Sequence, residues 1–454
     1  MASRPSECAV VAGSGAASDY ARRLLGDLGL AVTSAPGPRD PHPALAWAAS
    51  GAMAITGWPH ALPRVPSGAL ASCAAGAGRA LAAIGARAPE DPAALLAERA
   101  ALFGLARRGR IAPGGACRLL RARDGWAALT LARDDDRRAL PAWLEAGGSG
   151  VSDWDGVERE LARRPLAWLA ERARWLGIAF APAAPAPASA ALWFTASECG
   201  PRGDPPRRAP RVLDFSALWA GPLCAALLAD AGAEVIKIES ASRLDGARAG
   251  AAAFYDLINA RKRSAVLEFG GARDRALLAA LFASADVVIE SARPRALAQL
   301  GIDAEAFVAA RAGRVWISIT GYGRADAAPG RVAFGDDAAV AAGAARAVAD
   351  ADGPLFCADA IADPLTGLHA AVAAWACWRA GGGVLLDLSL CGVTAHALAF
   401  ASTGAFEVSG SAGAARVRAA CGEARVAAPR ARRACARARS AGADTEALRQ
   451  ELAC

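Results

Sequence analysis

The feature that most constrains this fold is a regular alternation of strand and helix patterns between residues 211 and 389. Short runs rich in Val, Ile and Leu recur, and segments such as 221–231 and 273–284 separate them. Strands that alternate with helices are joined by right-handed crossovers, so the pattern predicts an α/β fold with a doubly wound, largely parallel sheet. Ligands bind at the carboxyl ends of strands in such sheets. The runs are Arg211-Val-Leu-Asp-Phe, Glu234-Val-Ile-Lys-Ile-Glu, Ala265-Val-Leu-Glu-Phe, Asp286-Val-Val-Ile-Glu, Arg314-Val-Trp-Ile-Ser-Ile-Thr and Val384-Leu-Leu-Asp-Leu-Ser-Leu.

The chain divides into segments of different composition. Residues 1–90 begin with a β-α-β pattern, and residues 91–180 are mostly helical around two alternating runs that flank Asp124-Gly125. Asp-Gly between alternating runs is a hairpin signal, so residues 91–180 predict a smaller α+β domain. Residues 181–210 are rich in Pro and Ala and are interpreted as a linker. Residues 211–400 then form the main α/β domain, and residues 401–454 form a C-terminal segment.

Composition and charge argue against several classes of function. The 454 residues carry a formal net charge of +7 with scattered arginines, so we expect no nucleic-acid partner. The eleven cysteines form no Cys-x-x-Cys pair, so no metal site is predicted and a reducing cytoplasm is the expected setting. The sequence has no apolar run of about eighteen residues and no signal-like start, so we expect neither membrane insertion nor export.

Carboxylates are the best candidates for chemistry. The chain has four histidines, and it contains neither a Gly-x-Ser-x-Gly elbow nor a Walker loop. Asp359 and Asp363 lie just before a long apolar helix predicted for residues 365–379. An Asp ahead of Pro364 is also a typical helix N-cap. The pattern alone therefore leaves capping and catalysis both open for Asp363.

Long stretches of the second half resemble the family III CoA-transferases, the CaiB/BaiF family. The likeness opens with Arg211-Val-Leu-Asp-Phe-Ser-Ala-Leu-Trp-Ala-Gly-Pro and runs to Glu234-Val-Ile-Lys-Ile-Glu. It continues in the family's order and spacing through Asn259-Ala-Arg-Lys-Arg-Ser, Ala285-Asp-Val-Val-Ile-Glu-Ser-Ala-Arg-Pro, Ile317-Ser-Ile-Thr-Gly-Tyr-Gly and Ala362-Asp-Pro-Leu-Thr-Gly-Leu. Chance does not explain several motifs in one order.

The resemblance implies a transferase that moves CoA between an acyl-CoA thioester and a carboxylic acid. Similar proteins use the Asp of an Asp-x-x-Thr/Ser-Gly segment as nucleophile, and Asp363 stands at that place. A carboxylate can attack a thioester carbonyl to form an aspartyl mixed anhydride and release the CoA thiolate. Backbone N–H groups at the start of the following helix would stabilise the developing negative charge. We therefore expect a CoA thioester as substrate, no tightly bound cofactor, and a homodimer.

The resemblance also implies a set of CoA contacts on four short segments. Arg261, Lys262 and Arg293 are the candidates for binding phosphate groups. For any one of these basic residues alone, an ordinary solvated surface is the competing interpretation. The implied contacts are Trp219, Ala220, Asn259, Ala260, Arg261, Lys262, Ser291, Ala292, Arg293, Thr320, Gly321, Tyr322 and Gly323.

The order of segments departs from that of the family. Residues 116–175 resemble the family's small domain, which normally follows the catalytic segment, whereas here it precedes it. Residues 1–90 resemble a degenerate copy of the family's N-terminal unit. Residues 211–400 resemble its CoA-binding catalytic domain, and residues 401–454 its C-terminal return segment. We interpret the chain as a duplicated and trimmed arrangement of one fold.

Local departures leave two other functions open. Ser240, Ser291-Ala292 and Gln299 stand where family members can carry Arg, Asn-Phe and Arg, which suits a non-catalytic acyl-CoA-binding protein. An α-methylacyl-CoA racemase is the other alternative, because racemases of this fold use a general acid/base pair. Their Gly-His-Asp segment corresponds to Phe334-Gly-Asp, so the His is missing, while Asp336 and Asp337 lie nearby in sequence. The acyl donor, the acceptor and the pathway cannot be deduced from the sequence.

Overall fold

The N-terminal unit is a short parallel β-α-β arrangement followed by helices. The computed structural model describes residues 8–146, 151, 153–292, 297, 300–326 and 330–453. Strands β1 (Ala9–Ser14) and β2 (Val32–Arg39) pair in parallel and are joined by helix α1 (Ala16–Asp27). Tyr20, Leu24 and Leu25 bury one face of α1, as their helical spacing requires. The unit continues with α2 (Pro43–Ala49), α3 (Leu70–Ala83), α4 (Glu98–Phe103) and 3-10 turns at Met53–Ile55 and Pro92–Ala97. Residues 92–103 therefore belong to this unit and not to the smaller domain predicted from residue 91, since Leu95 and Ala100 share its core.

The small domain is an antiparallel sheet covered by helices. Strands β3 (Cys117–Ala122), β4 (Gly125–Thr130) and β5 (Ala179–Pro182) lie side by side in that order. Ala122 pairs with Gly125, so the hairpin predicted at Asp124-Gly125 is confirmed. Trp143 and Phe180 lie in the core between the sheet and its helices. These helices are α5 (Asp134–Leu144), α6 (Trp154–Ala162) and α7 (Leu166–Leu176).

A seven-stranded sheet forms the framework of the second half. Its strand order is β6-β12-β11-β10-β7-β8-β9, and all neighbours are parallel except β6, which runs antiparallel to β12. The inner strands read as continuous apolar runs because both faces of the sheet are covered. The strands are β6 (Phe194–Glu198), β7 (Arg211–Phe215), β8 (Glu234–Ser240), β9 (Arg263–Leu267), β10 (Val287–Glu290), β11 (Val315–Thr320) and β12 (Val384–Ser389).

Helices cover both faces of this sheet, which confirms the predicted doubly wound α/β fold with a smaller α+β domain. One core contains the apolar residues of α8 (Ala220–Asp230), α9 (Ala252–Asn259), α14 (Ala362–Arg379) and α15 (Leu390–Phe400). The other contains those of α10 (Ala272–Ser284), α11 (Ala304–Ala309) and α16 (Thr445–Glu451). Two short helices, α12 (Gly335–Ala341) and α13 (Ala344–Ala347), precede the loop that leads into α14.

The N-terminal unit shares a continuous core with the second half. Tyr20, Trp47 and Leu81 belong to the same buried cluster as Leu365 and Leu368 of α14. Helix α14 is apolar on every side because it is enclosed by the sheet, by α8 and by α3. The two halves of the chain therefore fold against each other rather than as separate bodies.

The C-terminal segment returns across both halves. Strands β13 (Phe406–Ser409), β14 (Arg416–Ala419) and β15 (Gly422–Arg425) form a meander against α2. The chain then passes Glu98, which holds Arg432 at 2.8 Å, and ends with α16 beside β9. No helix in the described part of the chain is long and apolar enough to cross a membrane.

The stretch interpreted as a linker, residues 181–210, contains a strand of the large sheet. Phe194–Glu198 forms the edge strand β6, and the neighbouring Trp193 is buried and donates its indole N–H to Asp27 at 3.2 Å. The surrounding Pro and Ala residues gave this segment a linker composition. The buried aromatic residues nevertheless attach it to the core.

Candidate active site

Asp363 lies inside the first turn of α14 and does not cap it. The helix begins at Ala362, and the flanking residue Ile361 makes no side-chain cap. The backbone N–H of Ala220, the first residue of α8, favours the anionic form of the Asp363 carboxylate. Its side chain stays partly exposed. Asp363 is therefore not the N-cap of α14. Its carboxylate lies between the N-termini of two helices, where negative charge is favoured.

The protein around Asp363 raises the pKa of its carboxyl group. Burial raises its pKa to about 7, and the charges of Asp336 and Asp359 act in the same direction. The guanidinium of Arg99 and the N–H of Ala220 oppose that rise by favouring the anion. A carboxylate of this kind is more basic than an ordinary aspartate, and it remains available as an anion above neutral pH.

A glycine and a second carboxylate face Asp363 from the start of α12. A Cβ built on Gly335 would overlap Asp363 Oδ2 and would lie 2.7 Å from the carbonyl oxygen of Ala360. The next residue, Asp336, accepts a hydrogen bond from Ala360 N at 2.8 Å. Burial, followed by the nearby charge of Asp359, raises the pKa of Asp336 to about 7. The site thus contains two carboxyl groups with raised pKa values.

The loop before α14 has an unusual backbone. Ala358 and Ala360 have φ angles of 56° and 43°, in the left-handed region that costs a residue with a side chain roughly 1–2 kcal/mol. The N–H of Ala358 donates to Thr56 Oγ1 at 2.9 Å. Between these two alanines, Asp359 is fully buried and paired with Arg99. The N-terminal unit therefore supplies two of the side chains that hold this loop.

The small domain also contacts the site. Thr130, at the end of β4, donates its hydroxyl to Asp337 Oδ1 at 2.8 Å, and the N–H of Phe334 donates to the same oxygen at 3.0 Å. Asp337 is fully buried, and burial raises its pKa to about 7. Asp337 therefore links the start of α12 to the small domain.

Most of the implied CoA contacts lie along one edge of the large sheet. Trp219 and Ala220 follow β7, Ser291 and Ala292 follow β10, and residues 320–323 lie at the end of β11. These three strands are neighbours, so their carboxyl ends meet at the same edge. The Ser291 hydroxyl accepts a hydrogen bond from Ala217 N at 3.1 Å, which joins the first two segments. Arg293 and Gln299 lie outside the described residues.

The segment from Asn259 to Lys262 precedes β9, and Lys262 connects it to β7 and α8. Lys262 is buried, forms an ion pair with Asp214 at 2.7 Å and donates to Pro222 O at 2.9 Å. Burial lowers the pKa of Lys262 to about 8. Its neighbour Arg261 is half exposed and pairs with Asp230 at 2.8 Å. Ala260 and Arg261 line a cleft of about 410 Å³ together with Arg87, Arg432 and Arg433.

Three of the implied contacts keep a buried polar atom without a partner in the part of the chain that the structure describes. These atoms are Trp219 Nε1, Asn259 Oδ1 and Tyr322 Oη. Buried polar groups in folded proteins are nearly always hydrogen-bonded. Unsatisfied groups on Trp219 and Tyr322, both at the carboxyl edge, are therefore suited to hydrogen-bond with a ligand there.

Sequence reasoning missed four residues of this site. Arg99, Thr56 and Thr130 come from segments that carried no chemical motif, and only the folded chain brings them to the loop. Gly335 had a signal, since the Phe334-Gly-Asp segment corresponds to a family motif. In the sequence, this segment indicates only that the racemases' His is missing. It does not predict that Gly335 leaves space for the Asp363 carboxylate.

The comparisons with known proteins match the second half of the chain. Residues 210–432 match the sequence profile of CoA-transferase family III. The resemblance deduced from the motifs is thereby confirmed for this region, which contains Asp363 and the carboxyl edge of the sheet.

The similar curated proteins include several CoA-transferases. The succinate–glutarate CoA-transferase of Agrobacterium fabrum is 30% identical over 217 residues, covering 44% of this chain and 54% of that protein. The succinyl-CoA–D-citramalate CoA-transferase of Chloroflexus aurantiacus is 29% identical over 192 residues, covering 40% and 48%. A solved CaiB/BaiF family protein from Brucella suis is 28% identical with a TM-score of 0.39, covering 42% of this chain and 55% of that one. The chain thus spans about half the length of the relatives it matches.

Proposed function

We propose that this protein transfers CoA from an acyl-CoA thioester to a carboxylic acid, with Asp363 as the nucleophile. The observation that carries the proposal is the position of the Asp363 carboxylate. It is partly exposed, it lies between the N-termini of α8 and α14, and it belongs to the region that matches CoA-transferase family III. Curated relatives of that region are named for CoA transfer between carboxylic acids.

The chemistry follows from what a carboxylate can do to a thioester. An oxygen of Asp363 attacks the thioester carbonyl, the C–S bond breaks, and the CoA thiolate leaves behind a mixed anhydride. The thiolate then attacks the aspartyl carbonyl of the anhydride, so the first acid leaves and an aspartyl-CoA thioester remains. The second acid repeats these steps in reverse and departs as the new acyl-CoA. Each step exchanges one acyl bond for another and needs no oxidant.

The N–H groups around Asp363 suit the charge that these steps develop. Each attack places negative charge on a carbonyl oxygen, and preorganised donors at helix N-termini stabilise such charge. The N–H of Ala220, at the start of α8, favours the anionic form of the Asp363 carboxylate, which lies in the first turn of α14. We assign the CoA thioester to the carboxyl edge formed by Trp219, Ser291 and residues 320–323.

The test is an exchange assay with a panel of acyl-CoAs and isotope-labelled free acids, read by mass spectrometry. Labelled thioesters should form with the native protein and not with Asp363→Asn, which keeps the shape of the side chain but cannot attack as an anion. Circular dichroism of Asp363→Asn should match that of the native protein. Tight CoA binding without exchange would contradict the proposal and favour the non-catalytic acyl-CoA-binding protein.

Asp336 supports a second candidate, an α-methylacyl-CoA racemase. Burial raises the pKa of both carboxyl groups to about 7, and the charge of Asp336 adds to the rise at Asp363. An acid and a base near neutral pH are what proton exchange at the α-carbon requires. Incubating a 2-methylacyl-CoA with the protein in heavy water separates the two candidates. Deuterium at the α-carbon without CoA exchange would favour the racemase.

We also propose a cytoplasmic homodimer. Trp175 and Leu176 are exposed at the end of α7, and apolar side chains grouped on a surface favour association. Light scattering over a dilution series should give the mass of two chains. A single-chain mass at every concentration would contradict the dimer.

A further inference from the structure

Arg99 makes a two-point ion pair with the residue at the centre of the active-site loop. Its Nε donates to Asp359 Oδ2 at 2.7 Å and its Nη2 donates to Asp359 Oδ1 at 2.6 Å. This fork geometry fixes both the position and the plane of the carboxylate. Asp359 is fully buried, so the pair is shielded from water on the side of the acid. Arg99 belongs to α4, in the N-terminal unit and far from Asp359 in sequence.

The Arg99–Asp359 ion pair is connected to Asp363 through Trp219 and through the loop before α14. The guanidinium of Arg99 packs over the indole ring of Trp219 at 5.3 Å, next to Ala220, whose N–H favours the Asp363 anion. Asp359 stands between the two alanines with left-handed φ angles, and the N–H of Asp363 donates to Ala360 O at 2.9 Å. The strained loop needs such outside restraints, because a backbone of this kind persists only when its surroundings hold it.

We propose that Arg99 is a positioning residue of the active site, which fixes the loop of residues 355–361 through Asp359 and thereby sets the place of the Asp363 carboxylate. The region that matches the CoA-transferase family is then incomplete without the N-terminal unit, since residues 210–432 do not contain Arg99. The effect on turnover rests on the proposed function. The effects on the loop and on Asp363 itself do not.

The two partners of the pair act on Asp363 with opposite charge, which allows positioning to be separated from electrostatic tuning. The charged groups around Asp363 are Arg99, Asp336 and Asp359. Arg99→Gln removes a cation and should raise the pKa of Asp363, whereas Asp359→Asn removes an anion and should lower it. Both substitutions remove the ion pair that restrains the loop of residues 355–361. Positioning therefore predicts a loss of kcat in both variants despite opposite changes in pKa.

Three measurements on the full chain test the proposal. Both variants should lose roughly 100-fold in kcat with little change in KM, the size expected when a reacting group is displaced by about 1 Å. Amide hydrogen exchange of residues 355–361 should become faster in both. The infrared carboxyl band assigned by difference from Asp363→Asn should titrate higher in Arg99→Gln and lower in Asp359→Asn. Arg99→Lys, which retains the charge without the fork, should recover part of kcat.

Arg79→Gln is the matched control. Arg79 pairs with the buried Asp40 at 2.8 Å, also within the N-terminal unit, and the exposure of the two partners is close to that of Arg99 and Asp359. It should lower stability but leave kcat, loop exchange and the Asp363 titration at native values. Should Arg99→Gln fail to fold, Asp359→Asn carries the same test.

The outcomes separate this inference from the proposed function. Native kcat and unchanged loop exchange in Asp359→Asn would overturn the positioning role even if CoA transfer is established. If the native protein transfers no CoA, faster loop exchange and the opposite pKa changes would still support the role of Arg99. If Arg79→Gln had equal effects, Arg99 would contribute only to the general stability of the protein.

Discussion

Gly335 leaves no space for a side chain beside Asp363. The Cβ of any other residue there would overlap the carboxylate oxygen Oδ2 and press on the carbonyl oxygen of Ala360. The start of α12 thus forms one wall of the space occupied by the Asp363 carboxylate, and the N–H of Ala220 in α8 favours the anion there. The position of Asp363 depends on the packing of three helix starts against one another.

Gly335→Ala should displace the carboxylate and reduce activity strongly. We expect a loss of roughly 100-fold in kcat from misplacement and a destabilisation of about 1–3 kcal/mol from overpacking. Gly26→Ala is the control, because no atom lies within 4 Å of a Cβ at that helical position. It should keep native kcat and gain up to about 1 kcal/mol in stability. Native kcat in Gly335→Ala would show that the carboxylate tolerates a shift.

Activity should rise with pH through neutrality. Burial raises the pKa of Asp363 to about 7, and only the anion can attack a thioester. The kcat/KM for acyl-CoA should therefore increase up to a pH near 7 and then level off. A profile that is flat between about pH 5 and 9 would argue against an Asp363 with this pKa.

The buried Asp337 should make the protein less stable as the pH rises. Its folded-state pKa is raised to about 7, whereas an unfolded aspartate ionises near 3.9, so the folded state binds the extra proton between these values. The stabilising contribution is complete below about pH 4 and is lost as pH approaches 7. Urea unfolding at pH 5 and pH 8 should show a smaller difference for Asp337→Asn than for the native protein. An identical difference in both proteins would mean that Asp337 titrates normally.

The two basic residues beside the cleft should respond differently to neutralisation. Lys262→Met leaves Asp214 buried without its partner, so it should cost about 3–5 kcal/mol of stability. Arg261→Gln should change stability by less than about 0.5 kcal/mol. If Arg261 contacts a CoA phosphate, calorimetry of Arg261→Gln should show weaker binding with a smaller dependence on salt. Unchanged binding would mean that Arg261 is an ordinary solvated residue of the surface.

The sequence was sufficient where local patterns decide structure. Six of the seven strands of the large sheet and the hairpin at Asp124-Gly125 follow from apolar runs and turn residues, and all of them are present. Asp363 could be predicted as a candidate because its motif is contiguous. The edge strand β6 was not predicted, because the neighbouring Pro and Ala residues dominate the composition of its segment.

The remainder of the site depends on contacts between distant segments. Nothing in the helical pattern around Arg99 indicates a partner at Asp359, and Thr56 and Thr130 likewise reach the site only through packing. Lys262 shows the converse, since this basic residue of a segment predicted to contact CoA lies in a buried ion pair with Asp214. A sequence motif specifies the types of its residues, whereas the fold determines how deeply each side chain is buried and which residues it contacts.

The most direct test of the central claim is to trap the covalent intermediate. Native protein is incubated with an acyl-CoA and hydroxylamine, digested, and searched by mass spectrometry for an aspartyl hydroxamate. The account predicts this modification at Asp363, dependent on acyl-CoA and absent from Asp363→Asn, because hydroxylamine attacks the activated aspartyl carbonyl of the anhydride or thioester. Exchange of CoA between acids with no hydroxamate at Asp363, or with one at another carboxylate such as Asp336, would contradict it.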